Sequence, residues 1–279
     1  MDIALSAGEL GLLAAGLLAA GMVTGLLSGL LGIGGGGILV PVLYETFGAL
    51  GVDPAIRMHL ALGTSLAVVA PTTLRSFMAH RAKGTPDVGL IRRLGPWLVV
   101  GVVLGVLTAE RSSSAALMAI WVVFGSLMAL KMALGRDDWR LGEDIPRGWG
   151  SEAFMVAVGF VSVLMSIAGA VFTVTFMTLY NRPMLQAVGT SAGMGPLIAV
   201  PGLVGLAWAG WGHGGLPPFS LGYVSVLGAL VVAAASILTA PLGVRLAHGI
   251  SKRRLELAFA AFLALVAGRF LLALLAGPV

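Results

Sequence analysis

Residues 29–41 read Gly29-Leu30-Leu31-Gly32-Ile33-Gly34-Gly35-Gly36-Gly37-Ile38-Leu39-Val40-Pro41. Four consecutive glycines lie inside an almost wholly apolar run. In hydrocarbon no water can satisfy freed backbone N–H and C=O groups, so irregular backbone is tolerated only where protein buries it or a cavity meets it. The surrounding sequence requires that setting. The 279 residues are 58% hydrophobic and 10% charged, with mean hydropathy +1.01. Soluble domains carry about 25% charged residues. The chain reads as an all-α polytopic membrane protein.

Composition removes several classes. There is no cysteine, which excludes thiolate catalysis and Cys-based metal sites. His59, His80, His213 and His248 show no metal-ligand spacing, so neither a metal nor a cofactor is expected. The net charge of +5 lies mostly in loops beside apolar runs, where the positive-inside rule accounts for it without nucleic acid. Asp2 and Glu9 precede the first apolar run. The N-terminus therefore does not read as a cleaved signal peptide.

A span needs about 20 apolar residues. Residues 58–79, 90–109, 115–134, 184–210, 218–243 and 255–276 qualify. Two regions are irregular: 8–49, interrupted by Gly32–Gly37, and 152–180, with Ser166-Ile167-Ala168-Gly169-Ala170 at its middle. They mark an internal repeat. Gly25-Leu-Leu-Ser28…Ile33-Gly34-Gly35 aligns with Gly159-Phe-Val-Ser162…Ile167-Ala168-Gly169. Ala61-Leu-Gly63-Thr64-Ser65 aligns with Ala187-Val-Gly189-Thr190-Ser191. The expected organisation is a first membrane repeat over 1–134, a cytoplasmic linker over 135–151 and a second repeat over 152–279. Each repeat is a broken helical hairpin followed by three transmembrane helices, giving eight to ten spans. If both broken segments return to their starting side, 14 of the 17 Lys and Arg residues share one side. A single crossing at 152–180 splits them 10 to 7. The rule favours hairpins, with both termini outside and the second half inverted, as in secondary transporters.

The candidate site follows from the breaks. Gly34, Gly35, Gly36 and Gly37 form one tip, and Ser166 through Gly169 and Ala170 the other. Glycine lets a ligand approach the backbone, and a helix restarting at about Gly36–Ile38 aims N–H groups at an anion. Thr64, Ser65, Thr190 and Ser191 offer hydroxyl donors, with Ser28 and Ser162 as weaker candidates. Gln186 adds an amide one turn before Thr190. His59 and Glu45 are candidate proton carriers, and Arg75 a candidate gate at the cytoplasmic end, each against an ordinary interfacial role. Arg269 reads as an interface anchor. Gly21, Gly25 and Gly29 recur every four residues and read as close helix packing. The match to GxGxxG at Gly32–Gly37 lacks the strand and βαβ unit that a nucleotide site needs.

The Gly-rich run into Val40-Pro41, with Gly63-Thr64-Ser65 and the weaker copy at Gly189-Thr190-Ser191, resembles the TauE/SafE family of sulfite exporters over roughly residues 10–275. That resemblance implies a bacterial inner-membrane carrier of small sulfur-containing anions or organic acids, such as sulfite, sulfoacetate and other sulfonates. The partners it implies are the small anion and the bilayer; a coupled proton or other ion and a homo-oligomer are left open. The second tip departs from the first, with Ala168, Ala170 and Val171 in place of Gly34, Gly36 and Gly37. The alternatives are a passive anion channel on the same fold and an intramembrane serine hydrolase using Ser65 or Ser191. The latter lacks a general base beside either serine, so an enzyme is not expected.

Overall fold

A computed structural model of the chain describes residues 7–31, 36–135, 140–247 and 252–276. They form ten helices: α1 (Ala7–Leu31), α2 (Gly36–Ala49), α3 (Pro54–Ala82), α4 (Val88–Arg111), α5 (Ser114–Leu134), α6 (Trp149–Leu164), α7 (Ala170–Leu179), α8 (Met184–Ala209), α9 (Val226–Ala247) and α10 (Lys252–Leu275). Among the described residues there is no strand beyond one isolated bridge, Ser220 to Ser225. Among the described residues six helices are long and apolar enough to cross a membrane: α3, α4, α5, α8, α9 and α10. Leu104, Val123, Leu127, Leu238 and Leu265 stand exposed on them, which hydrocarbon allows and water penalises. The chain is an all-α polytopic membrane protein.

The expected span over 218–243 starts too early. Residues 218–225 are a loop, and α9 begins at Val226. Pro217 and Pro218 precede it, Phe219 and Gly222 take positive φ of 59° and 55°, and Leu221 N–H closes back on Val224 O. The apolar Leu221, Tyr223 and Val224 imitate a span, but Tyr223 and Val224 pack as a cap on the bundle and Leu221 stays exposed.

Each irregular region contains two helices, α1 and α2 in the first and α6 and α7 in the second. The second turns through Met165 to Gly169, with Ser166 at φ 53° and Gly169 at φ 68°. It then folds back, because Phe154 of α6 stacks on Phe176 of α7 at 4.7 Å between ring centroids. With 10 residues, α7 is about 15 Å long, half of a hydrocarbon core of about 30 Å. In the first, α2 restarts at Gly36, and Gly16 of α1 faces Thr46 of α2. Gly34 and Gly35 lie outside the described residues.

Glycine sets the helix crossings. A Cβ on Gly21 would lie 2.7 Å from Val232 O, and one on Gly25 would lie 2.3 Å from Ser236 O, so α1 and α9 touch backbone to backbone. The packing reading of Gly21 and Gly25 holds; the side chains around Gly29 are outside the described set. The pair α4 and α6 meets the same way, through Gly101 against Val156 O and Gly159 against Leu98 O. Small residues permit this approach, and close packing then replaces the hydrophobic drive that lipid removes. The main partnerships are α1 with α9, α4 with α6, α3 with α8 and α5 with α10. Exchanging the first five helices for the last five returns the same set.

Candidate functional site

The two helix breaks meet. A Cβ on Gly36 would lie 2.0 Å from Ser166 O and 3.2 Å from Ile167 Cα. The start of α2 therefore rests directly on the turn between α6 and α7. That turn is held in place: Ser166 Oγ donates to Leu62 O of α3 at 3.0 Å, and Ile167 N–H to Ser162 O at 2.8 Å. The opening amides of α2 and α7 have no acceptor within their own helices, as at any helix start. The N-cap of α7 is Gly169, with no side-chain cap.

Hydroxyls without partners surround this junction. Ser162 and Thr173 are fully buried, and neither hydroxyl has a hydrogen-bond partner among the described residues. Ser162 Oγ lies 3.3 Å from where a Gly169 Cβ would stand, and Thr173 N–H bonds Gly169 O. Ser65, three residues beyond Leu62 on α3, is likewise buried and unpaired. Buried polar groups are normally bonded, so each such hydroxyl calls for an explanation. Sequence reasoning missed Thr173, whose only signal is its spacing one turn after Gly169.

The duplicated Gly-Thr-Ser has a split role. Gly63 admits the loop before α9: its Cβ would lie 2.0 Å from Tyr223 O. Thr64 Oγ1 then accepts from Ser225 N–H at 3.0 Å, and Ser225 Oγ in turn accepts from Gly228 N–H in the first turn of α9. The second copy repeats this on α4. Gly189 faces Thr85, and Thr190 Oγ1 accepts from Asp87 N–H at 2.9 Å. Asp87 caps α4 by accepting from Leu90 N–H. Thr190 also donates to Gln186 O at 2.7 Å, so its hydroxyl is engaged on both sides. The threonines tie each half to a helix start of the other, and only the serines keep unpaired hydroxyls; Ser191 Oγ is 3% exposed at the residue level and unpartnered.

Nor do the two copies share one level. Gly195 packs on Thr73, and Gly202 on Leu66, so α3 and α8 run antiparallel. On that register Ser65 lies level with residue 203 and Ser191 with residue 77, roughly 18 Å apart along the pair at 1.5 Å per residue. The structure brings together Gly36, Gly37, Ser166, Gly169 and, through Leu62, Ser65; it sets Gln186, Thr190 and Ser191 at the other end of the pair. The Ser28 side chain is outside the described set.

The charged candidates have local partners or face outward. His59 is buried at 4% exposure, and its Nε2–H donates to Ala109 O at 3.0 Å and Ser112 O at 3.1 Å. Two carbonyl acceptors place the proton on Nε2, and the ring fastens α3 to the end of α4. The Tyr223 ring lies against it, tilted by 32°, at 4.8 Å between centroids. Burial, and after it the Glu110 carboxylate, pushes the Tyr223 phenol above its ordinary value and keeps it neutral. Glu45 pairs with Arg269 at 3.4 Å, joining α2 to α10 with both side chains half exposed. Arg75 is exposed on α3. No group of three or more candidate metal ligands occurs among the described residues.

Comparison with known proteins agrees with this architecture. Residues 17–270 match the family model described as Sulfite exporter TauE/SafE. A probable membrane transporter protein of Haemophilus influenzae is 31% identical over 250 residues, covering 88% of this chain and 94% of its own. A probable membrane transporter protein of Methanocaldococcus jannaschii is 29% identical over 265 residues, covering 92% and 94%. No solved structure matches the chain.

Proposed function

The chain belongs to the sulfite exporter TauE/SafE family of membrane transporters, and from that premise we propose a secondary carrier that exports small sulfur-containing anions such as sulfite or a sulfonate. The observation that carries the reading is the junction of Gly36 with Ser166, where the start of α2 meets the turn between α6 and α7 beside buried hydroxyls that have no hydrogen-bond partner among the described residues. Helix starts and free hydroxyls are what an oxyanion needs in a site without water. The anion binds at this junction, held by amides of the Gly34–Gly37 and Gly169–Ala170 tips and by Ser65 and Ser162. Thr173 adds a hydroxyl on α7. Ser191, unpaired in the same way at the other end of the α3–α8 pair, receives the anion on the cytoplasmic side, with Gln186 in the preceding turn of α8.

Residues 1–134 and 152–279 are inverted repeats joined by a cytoplasmic linker over 135–151, with both termini outside a bacterial inner membrane. The exchangeable helix partnerships support this. One repeat rocks against the other, and the bonds from Thr64 and Thr190 keep each half attached to a helix start of the other as it moves. An inside-negative potential drives export of a monovalent anion by about 2.3 kcal/mol per 100 mV. The names of the family and its relatives indicate transport rather than catalysis, and among the described residues no general base is in hydrogen-bond contact with Ser65 or Ser191.

Counterflow tests this. Proteoliposomes loaded with unlabelled sulfite are expected to accumulate external labelled sulfite transiently and saturably, while lactate-loaded ones do not. Linear flux without stimulation from the opposite side would replace the carrier with a passive channel.

A further inference from the structure

The two hairpins are braced differently. The first is closed: α2 packs along α1, Phe259 of α10 covers Gly37 at 3.8 Å from its Cβ position, and Phe270 meets Tyr44 edge-on at 5.2 Å. In the second, α7 stands off α6 along most of its length, and the Phe154–Phe176 stack bridges them. The flank of α7 that corresponds to the covered side of α2 opens onto a cavity of about 630 Å³ between α5, α6, α7 and the linker. Phe124, Met128, Leu141, Phe154, Phe172 and Phe176 line it. The linker closes one end, with Leu141 N–H on Leu179 O and Arg182 on Asp144, each at 2.8 Å.

We infer that this cavity seats one acyl chain of a phospholipid from the leaflet beside the basic loops, with the lipid phosphate at Lys131. Three observations fix the occupant. The wall is apolar and ends at exposed residues of a membrane-spanning helix, Leu127 being 54% exposed. Hydrocarbon is the neighbouring solvent there, and unfilled apolar space forfeits its dispersion contacts. Water and the transported anion do not fit, because both need several polar partners. Of the wall's hydroxyls, Ser151 Oγ donates to Pro146 O, and Thr175 Oγ1 accepts from Lys131 Nζ at 2.9 Å. The Lys131 ammonium therefore sits on the cavity wall, in the last turn of α5 on the side that carries most of the basic residues. A chain seated here does for α7 what Phe259 and Phe270 do for α2: it supports the hairpin whose tip carries Ser166 and Gly169. The inference holds whichever anion the protein carries.

The test is native mass spectrometry of the detergent-purified chain with phosphatidylglycerol and with the neutral diacylglycerol of the same chains. One phosphatidylglycerol per chain is expected to persist. Diacylglycerol, and phosphatidylglycerol on Lys131→Gln, should bind about five-fold more weakly, the weight of one lysine at a membrane surface. Leu127→Trp and Leu179→Trp fill the cavity and should lose the bound lipid while keeping any stabilisation by the transported anion. Equal binding of the two lipids, or lipid retained by both tryptophan variants, overturns the proposal. Loss of anion stabilisation in variants that still unfold cooperatively also overturns it, and assigns the cavity to the anion path. Lys131→Gln tests the phosphate contact at the protein's edge even where a tryptophan variant fails to fold.

Discussion

Gly36→Ala is expected to destabilise the protein by about 1–3 kcal/mol, the usual cost of forcing a methyl into a packed interior. Gly37→Ala, one residue on, should fall within about 0.5 kcal/mol of wild type. The added Cβ is the same, but its neighbours differ. At Gly36 it lies 2.0 Å from Ser166 O, a backbone atom. Ser166 cannot yield, since its N–H bonds Val163 O, its hydroxyl bonds Leu62 O and its φ is already 53°. At Gly37 the nearest atom is Ile167 Cδ1 at 3.5 Å, an ordinary contact. Thermal unfolding of the two variants measures the difference. Equal stability would mean that the two hairpins do not touch as described.

Gly101→Leu should be more damaging still, at roughly 3 kcal/mol or more, because the first atom added already overlaps and three follow. Its Cβ falls 2.0 Å from Val156 O and 2.9 Å from Phe160 N, both backbone of α6. Relief requires α4 and α6 to separate along the whole crossing, which Gly105 and Gly159 also hold close. Gly268→Leu on α10, with nothing within 4 Å of its Cβ position, is the matched control and should be tolerated. Chemical denaturation in mixed micelles compares the two; a milder effect at Gly101 than at Gly268 would contradict the crossing.

The spans were legible because hydropathy over 20 residues is a local property. The start of α9 was not, since Leu221, Tyr223 and Val224 carry the right hydropathy and the prolines and positive φ values decide the backbone. Gly21 and Gly25 announced a helix crossing by their spacing, and Gly101 and Gly105, at the same spacing, went unread. In each Gly-Thr-Ser copy the sequence offers both hydroxyls alike as ligand donors. Which of them is engaged depends on loops 161 residues from Thr64 and 103 from Thr190, and no local pattern holds that information. Glu45 and Arg269 appeared as separate charges for the same reason: their pairing exists only once α2 lies against α10. The meeting of the tips was expected from the repeat, and Gly36 lies on Ser166.

Anion binding where the start of α2 meets the α6–α7 turn is tested by anion-dependent thermal unfolding of wild type and Ser65→Ala. Sulfite, sulfate, thiosulfate, sulfoacetate, taurine, lactate and chloride form the panel. The Ser65 hydroxyl has no hydrogen bond among the described residues, so its replacement should leave the unliganded protein about as stable as before. A sulfur oxyanion at 100 times its Kd should stabilise wild type by roughly 2.7 kcal/mol, while Ser65→Ala at the same concentration shows much less. A selective shift that survives Ser65→Ala undiminished, or no selective shift at all, would contradict the claim and leave the glycines as packing.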